Sequence, residues 1–357
     1  KDTRQVLSRY PNVEGDVEGG LYEHLWVKAA EETAGTYYYY HGSRPTDRSW
    51  QDDQDNGNHI YLNTYADGQW SSGHSRVNLV NTTEKRYEVE TVTSYGNPDP
   101  GDRYYAYNIL EELDMAGEYW IDRSTGKVYW WPTDAIGAEN PVYATVLSNI
   151  VTATGVNYLT WGLRTEMGRG NGIVLRDCTH VEFPDGTTVR HTGLVGVWIA
   201  ADEVLVQNNE FRGLVYDTGT GGIILEGGHA STHTPAENLI YNTEVHHVGR
   251  WHLSYSAAIA LRTWGSRAEH IYVHHTPHTA ITVSGGDMQV RYFRVEDVGH
   301  HSGDMGAFYW YKQIQSRGNL IEWGVIKNAY TARRWLDESG EIQEDRFTPV
   351  SYTHLTL

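Results

Sequence analysis

The chain has a single cysteine, Cys178, in 357 residues, so no internal disulfide ties it together and stability must come from packing. Long apolar runs are missing: none approaches the 18 residues that a membrane-spanning helix needs, and no membrane partner is expected. Positive charge is scarce. Lys and Arg number 28 against 46 Asp and Glu, a net charge of -18, which excludes the broad basic surface that a nucleic-acid partner requires. The same imbalance repels a polyanion at long range, so a neutral or sparsely charged ligand is the easier partner. Phe is rare at 5, whereas Tyr reaches 26 and Trp 13. Ring surface with a polar handle is favoured over plain hydrophobe, which suits strands and sugar-binding faces alike. The opening Lys-Asp-Thr does not read as a signal peptide.

What the chain does contain is a repeat. Segments ending at Phe211, Val245, Val273 and Val295, with weaker copies ending at Leu163, Val189 and Ile326, each lead into a small or polar corner. A second element follows each, a small residue and then apolar positions: Gly172-Ile-Val-Leu, Gly196-Val-Trp-Ile, Gly222-Ile-Ile-Leu, Ala258-Ile-Ala-Leu, Ala280-Ile-Thr-Val and Ala307-Phe-Tyr-Trp. Steps of 22 to 34 residues without helical periodicity predict an all-β chain built as a right-handed, single-stranded parallel β-helix. A β-sandwich is the fallback, but nothing in a sandwich keeps equivalent positions aligned over six steps.

Side chains at matching places in successive coils stack about 4.8 Å apart. Ile173, Val197, Ile223, Ile259, Ile281 and Phe308 are expected to form one inward column, and Leu175, Ile199, Leu225, Leu261, Val283 and Trp310 another. Val174, Trp198, Ile224, Ala260, Thr282 and Tyr309 are expected to face outward and to line a shallow sugar-binding groove, together with Glu226 and Arg262. Residues 1–140 read as a β-rich region packing on or capping the helix, with turns at Asp114, Gly117, Asp122 and Gly126. Residues 141–336 carry the repeats, and 337–357 are expected to be an irregular, truncated or foreign tail.

Between the two elements of a coil the connection varies. It is seven residues from Val189 to Gly196 and from Val273 to Ala280, against 11 from Phe211 to Gly222, 13 from Val245 to Ala258 and 12 from Val295 to Ala307. Three long loops, 214–221, 249–256 and 299–306, are therefore expected to stack on one corner and to gather Asp217, Arg250, Trp251, His252, Tyr255, His300, His301 and Asp304. Asp304 is the first candidate for a glycosidase acid or nucleophile, with Asp217, Asp287 and Glu226 as alternatives for the partner carboxylate. His301 and His275 would orient it, while Trp251, Tyr255 and Tyr309 would stack on sugar rings, and Arg250, His252 and Arg262 would bind substrate. A corner column of His191, His247, His275 and Asp297, flanked by Arg190, His246, His274 and Glu296, is read as structural stacking, because a metal needs converging ligands. No metal and no cofactor is expected.

The stretches LDMAGEYWIDRSTGKVYWWP, LEGGHASTHTPAENLIYNTEVHHVGRW and VEDVGHHSGDMGAFYW resemble the bacterial right-handed β-helix enzymes related to glycoside hydrolase family 141, over roughly residues 100–330. The resemblance implies a pectin-lyase-like fold, a secreted or periplasmic bacterial protein, and hydrolysis of xylan or of fucosylated or pectic side chains in plant or bacterial polysaccharide. It also implies paired aspartates, with Asp304 matching the first and Asp337 or Asp345 standing where a second would fall one coil later. A polysaccharide lyase of the pectate-lyase type and a non-catalytic glycan-binding β-helix are the alternatives.

Overall fold

The computed structural model describes residues 4–14, 23–24, 27–28, 37–50, 57–66, 70–90, 102–200, 208–303, 305–311, 316–329, 331–336, 339 and 341–347, and structural statements below concern these. The chain divides into two compact units, Lys1–Val142 with Ala332–Arg346, and Tyr143–Thr331 with Phe347–Leu357.

The second unit is a parallel β-solenoid. One sheet consists of Val151–Thr154, Ile173–Arg176, Val197–Ala200, Ile223–Gly227, Ile259–Thr263, Ile281–Val283 and Phe308–Trp310, each strand pairing in parallel with the strand one coil later. A second parallel sheet consists of Asn157–Thr160, Thr179–Thr192, Glu210–Thr218, Leu239–His246, Arg267–Thr276, Gln289–Val298 and Leu320–Glu322, with Arg164–Glu166 and Val325–Ala329 also paired to it. The two inward columns expected on the first sheet are in register from coil to coil. Ile173, Val197, Ile223, Ile259 and Ile281 are buried, as are Leu175, Ile199, Leu225, Leu261 and Val283. Phe308 is half-buried and Trp310 is 37% exposed, because among the described residues no further strand of this sheet covers them.

Two expectations need correction. The column meant to face an open groove is largely covered: Val174, Ala260 and Thr282 are buried, and Trp198, Ile224 and Tyr309 are only partly exposed. Runs such as Ile173–Leu175 and Ile259–Leu261 are apolar at every position, which is the pattern of a parallel strand buried on both faces. The second correction concerns register. Val189, Val215, Val245, Val273 and Val295 form the inward column that ends each long strand, all fully buried, whereas Phe211 pairs with Phe183 and Ile240 further back. The ladder slips by one residue between Phe211 and Gly213, and the true counterpart of Val245 is Val215, four residues beyond Phe211. Counted from Val215, the connection to Gly222 is as short as its seven-residue neighbours, so 214–221 is no long loop and only 249–256 and 299–306 are.

The small residue opening each element is a packing requirement. A β-carbon on Gly222 would sit 2.5 Å from the Ala258 carbonyl oxygen and from Val245 Cγ1.

The first unit is built differently. Arg103–Tyr107 pairs antiparallel with Tyr61–Ala66, which continues through Ser71–Asn81 and Arg86–Val89 to Tyr37–Tyr39. Its core is aromatic, with Tyr38, Tyr40, Trp50, Tyr87 and Tyr104 buried around Ile60, Leu62 and Val77. The stretch 108–132 forms the antiparallel pair Glu118–Asp122 and Lys127–Trp130, turning through Gly126 at φ +70°. Ile342–Phe347, which carries Asp345, and Thr331–Leu336 belong to the first unit's sheet, so the described chain adds no solenoid coil where a second acid was expected. Asp337 lies outside the described residues.

Candidate active site

Each long strand of the second sheet ends at a residue with a left-handed backbone: His191, Asp217, His247, His275 and Asp297, at φ 50° to 53°. Asp and His tolerate this region better than most residues, which explains the composition of the column. A left-handed residue breaks the alternation of an extended strand. It and its predecessor both stay outside the core, and the next residue turns inward, so Thr192, Thr218, Val248, Thr276 and Val298 are fully buried. Two adjacent columns of polar and aromatic side chains therefore run along this corner.

The predecessor column is a connected network. Arg190 reaches Glu166 at 2.6 Å and donates to the Tyr216 hydroxyl at 2.8 Å. The Tyr216 ring stacks on His246 at 4.8 Å, and His246 stacks on His274 at 4.6 Å. Glu296 accepts from Arg294 at 2.7 Å and from the Tyr272 hydroxyl at 3.0 Å. Those donors, led by Arg294 and joined by Lys327, hold its carboxyl down at about 2, against the opposing pull of burial. Burial, reinforced by the neighbouring imidazoles, pushes His246 down to about 3, so it is neutral at pH 7; His275 is lowered for the same reasons.

Asp217 is a buried carboxylate of the corner. It contacts His191 Nδ1 through Oδ2 and Arg250 Nη1 through Oδ1 at 2.5 Å. Arg250 arrives from the next coil, because loop 249–256 folds back over the preceding corner: the amides of Gly249, Arg250 and Trp251 donate to Thr220, Thr218 and Gly219. Leu253 is fully buried and anchors the loop, leaving Trp251, His252 and Tyr255 exposed. The Tyr255 ring lies 5.5 Å from that of His278, which burial pushes down to about 4.

The structure thus brings Asp217 and Arg250 into contact, with Trp251 and His252 next in the chain, and stacks His275 on His247 at 5.1 Å. His301 is buried on loop 299–306, whose amides at Gly299 and His301 donate to Thr276 and Pro277. Asp304, on the same loop, lies outside the described residues. Glu226 and Arg262 pair at 3.6 Å, but at the far end of their strands, roughly 13 Å along the chain from the Gly222 corner at 3.3 Å per residue. Tyr309 packs edge-on against Tyr311 at 5.4 Å.

One feature escaped the sequence reading. A second left-handed column, Asn242, His270, Tyr292 and Trp323, kinks the same strands, and His270 stacks on Tyr292 at 4.8 Å. Tyr292 and Trp323 are 50% and 71% exposed, a ring surface open to solvent. Beside it lies an open trough of about 500 Å³ lined by Asp185, Thr188, Asn242, Glu244, His270 and Tyr272. The available signal was the interrupted alternation within Tyr241-Asn242-Thr243 and its counterparts.

No family model matches the chain, and no curated protein does. Among solved structures it is similar to one described as a glycoside hydrolase, with 13% identity and a TM-score of 0.62 over 90% of this chain and 67% of that one. It also aligns with the tailspike of Acinetobacter baumannii bacteriophage AP22 in complex with A. baumannii capsular saccharide, with 9% identity and a TM-score of 0.24 over 85% of this chain and 44% of that one. The tailspike of Pseudomonas phage LKA1 aligns with 11% identity and a TM-score of 0.23 over 84% and 46%. At 13% identity the first likeness establishes a shared fold.

Proposed function

We propose that this protein is a glycoside hydrolase that holds a polysaccharide or its side chain across the left-handed corner of the solenoid. The observation that carries the reading is Asp217, a buried carboxylate gripped by His191 and Arg250 at the foot of a loop that presents Trp251 and Tyr255 to solvent. Glycoside hydrolysis needs two carboxyl groups in different states, one accepting or attacking and one donating a proton. Asp217, in contact with a guanidinium, suits the first role. Glu296 is held ionised and is unsuited to the second, for which Asp304 is the proposed acid. The exposed rings of Tyr292 and Trp323 offer stacking platforms, and the low count of basic residues favours a neutral glycan such as xylan or a fucosylated side chain over pectin. Relation to glycoside hydrolase family 141 and action outside the cytoplasm, where polysaccharide is found, belong to the same reading. A lyase needs an uncommitted base, and Arg250 is engaged by Asp217.

The test is a screen of xylan, fucosylated oligosaccharide and pectin for new reducing ends and for ultraviolet-absorbing unsaturated products. Reducing ends without absorbance are expected, and Asp217→Asn and Asp304→Asn should each lower turnover by about 100-fold or more; Asp304→Asn should leave thermal unfolding nearly unchanged, whereas Asp217→Asn, which breaks a buried ion pair, should also lower Tm. Absorbing products would establish a lyase, binding without cleavage would establish a glycan-binding protein, and full activity in Asp217→Asn would remove this corner from the mechanism.

A further inference from the structure

Two histidine pairs sit one coil apart beside Asp217. His246 and His247 bring their Nδ1 atoms within 2.6 Å of each other, and His274 and His275 do the same at 2.6 Å. The pairs are in register, with His246 stacked on His274 at an interplanar angle of 12° and His247 on His275 at 5°. Donor atoms of His246, His247 and His274 all lie within 4.8 Å of one another. The left-handed corner produces this convergence, because it turns two consecutive side chains to the same side, which an extended strand does not do.

Stacking alone would explain parallel rings, but not nitrogen atoms facing each other in both coils. Two Nδ1 atoms so close share either a proton or a cation. For His274 the proton can be placed: Nε2 lies 2.9 Å from Glu244 Oε1, a carboxylate oxygen that accepts, so Nε2 carries the hydrogen and Nδ1 turns its lone pair into the cluster. A carboxylate behind an imidazole that offers its other nitrogen is the arrangement that orients metal ligands.

We propose that His246, His247 and His274, completed by His275, form a binding site for one divalent cation of the zinc class. Four imidazole nitrogens and no carboxylate suit zinc, copper or nickel rather than calcium or magnesium. At metal–nitrogen distances of about 2.0–2.1 Å, tetrahedral ligation separates the nitrogens by roughly 3.3 Å, so each pair opens from its 2.6 Å spacing, while the stacked rings of the two coils, 4.6 and 5.1 Å apart, tilt inward, His275 moving furthest. The ion clamps two successive coils at the corner where Asp217 is the in-register predecessor of His247. The site stands independently of the glycosidase reading, since every ligand comes from the histidine columns.

The experiment uses the whole chain stripped with chelator, titrated with zinc chloride by calorimetry and with cobalt chloride by ligand-field absorption. One ion per chain is expected, with a rise in Tm, and His246→Gln and His274→Gln should each weaken zinc binding by about 100-fold or more. Glu244→Gln, which leaves all four imidazoles in place, should weaken it by about 10- to 100-fold. His270→Gln, an exposed imidazole outside the cluster, should bind as the parent does. Absence of stoichiometric binding, or binding unchanged in Glu244→Gln, overturns the site even if the two ligand variants fail to fold.

Discussion

The two units bury different chemistry. In the solenoid the interior is aliphatic and repetitive: Val189, Val215, Val245, Val273 and Val295 occupy one environment five times, all at 0% exposure. In the first unit the interior is aromatic and charged, and each buried polar group has its own arrangement. Glu112, fully buried, is met by Arg44 at 2.5 Å and by the indole N–H of Trp50 at 2.6 Å. Glu118, also fully buried, accepts backbone N–H bonds from Arg9, Asp114 and Met115. A parallel stack lets one solution be reused in every coil, while an antiparallel sheet with a unique core must satisfy each polar group separately.

The sharpest way to break this comparison is to wound both cores and compare the losses in chemical denaturation. Leu225→Ala should cost about 2–5 kcal/mol, since its neighbours Ile199 and Leu261 are locked by the ladders above and below. Glu112→Gln should cost less, about 1–3 kcal/mol, because Arg44 keeps 31% exposure and retains Asp114 at 3.1 Å. A larger loss for Glu112→Gln would make polar satisfaction, rather than apolar stacking, the more demanding core.

The pH dependence of Tm should carry opposite limbs from the two units. Burial raises Glu118 to about 7, so its contribution is fully present below the ordinary value of 4.5 and is lost as pH rises through about 7. Burial lowers His278 to about 4, so its contribution is present above the ordinary 6.5 and is lost as pH falls through about 4. Glu118→Gln should flatten the first limb and His278→Asn the second. An unaltered profile in either variant would show that its group does not carry that limb.

The smallest effect expected is Tyr104→Phe, which removes a buried hydroxyl bonded to Tyr87 and should cost about 0.5–1.5 kcal/mol in denaturant unfolding. A neutral outcome would mean that the first unit's core rests on ring area, bringing it closer to the solenoid.

The solenoid was legible because its signal is local and repeated. A small residue followed by Ile-x-Leu marks a corner and a strand each time, and Ile223, Ile259 and Ile281 stand in register as their spacing requires. Legibility failed where the repeat is interrupted without changing composition. Asn-Asn-Glu-Phe ending at Phe211 resembles Asn-Thr-Glu-Val ending at Val245, whereas the residue in register with Val245 is Val215, and the false match turned the corner residue Asp217 into a loop residue. The first unit offered no period at all. That Arg44, Trp50 and Glu112 meet is a contact across more than 60 residues, which no spacing rule encodes.

By itself the sequence determined that the repeat region is a stack of parallel coils, that its interior is aliphatic, and that Asp and His recur at one place in each coil. Those facts survive in one dimension, because a coil's inward and outward positions recur along the chain. Only the tertiary structure decided that Arg250 crosses back to Asp217 and that His246 and His247 point their nitrogens together. Both depend on where the backbone leaves the extended region, and that choice is made by the packing of neighbouring coils rather than by any residue alone.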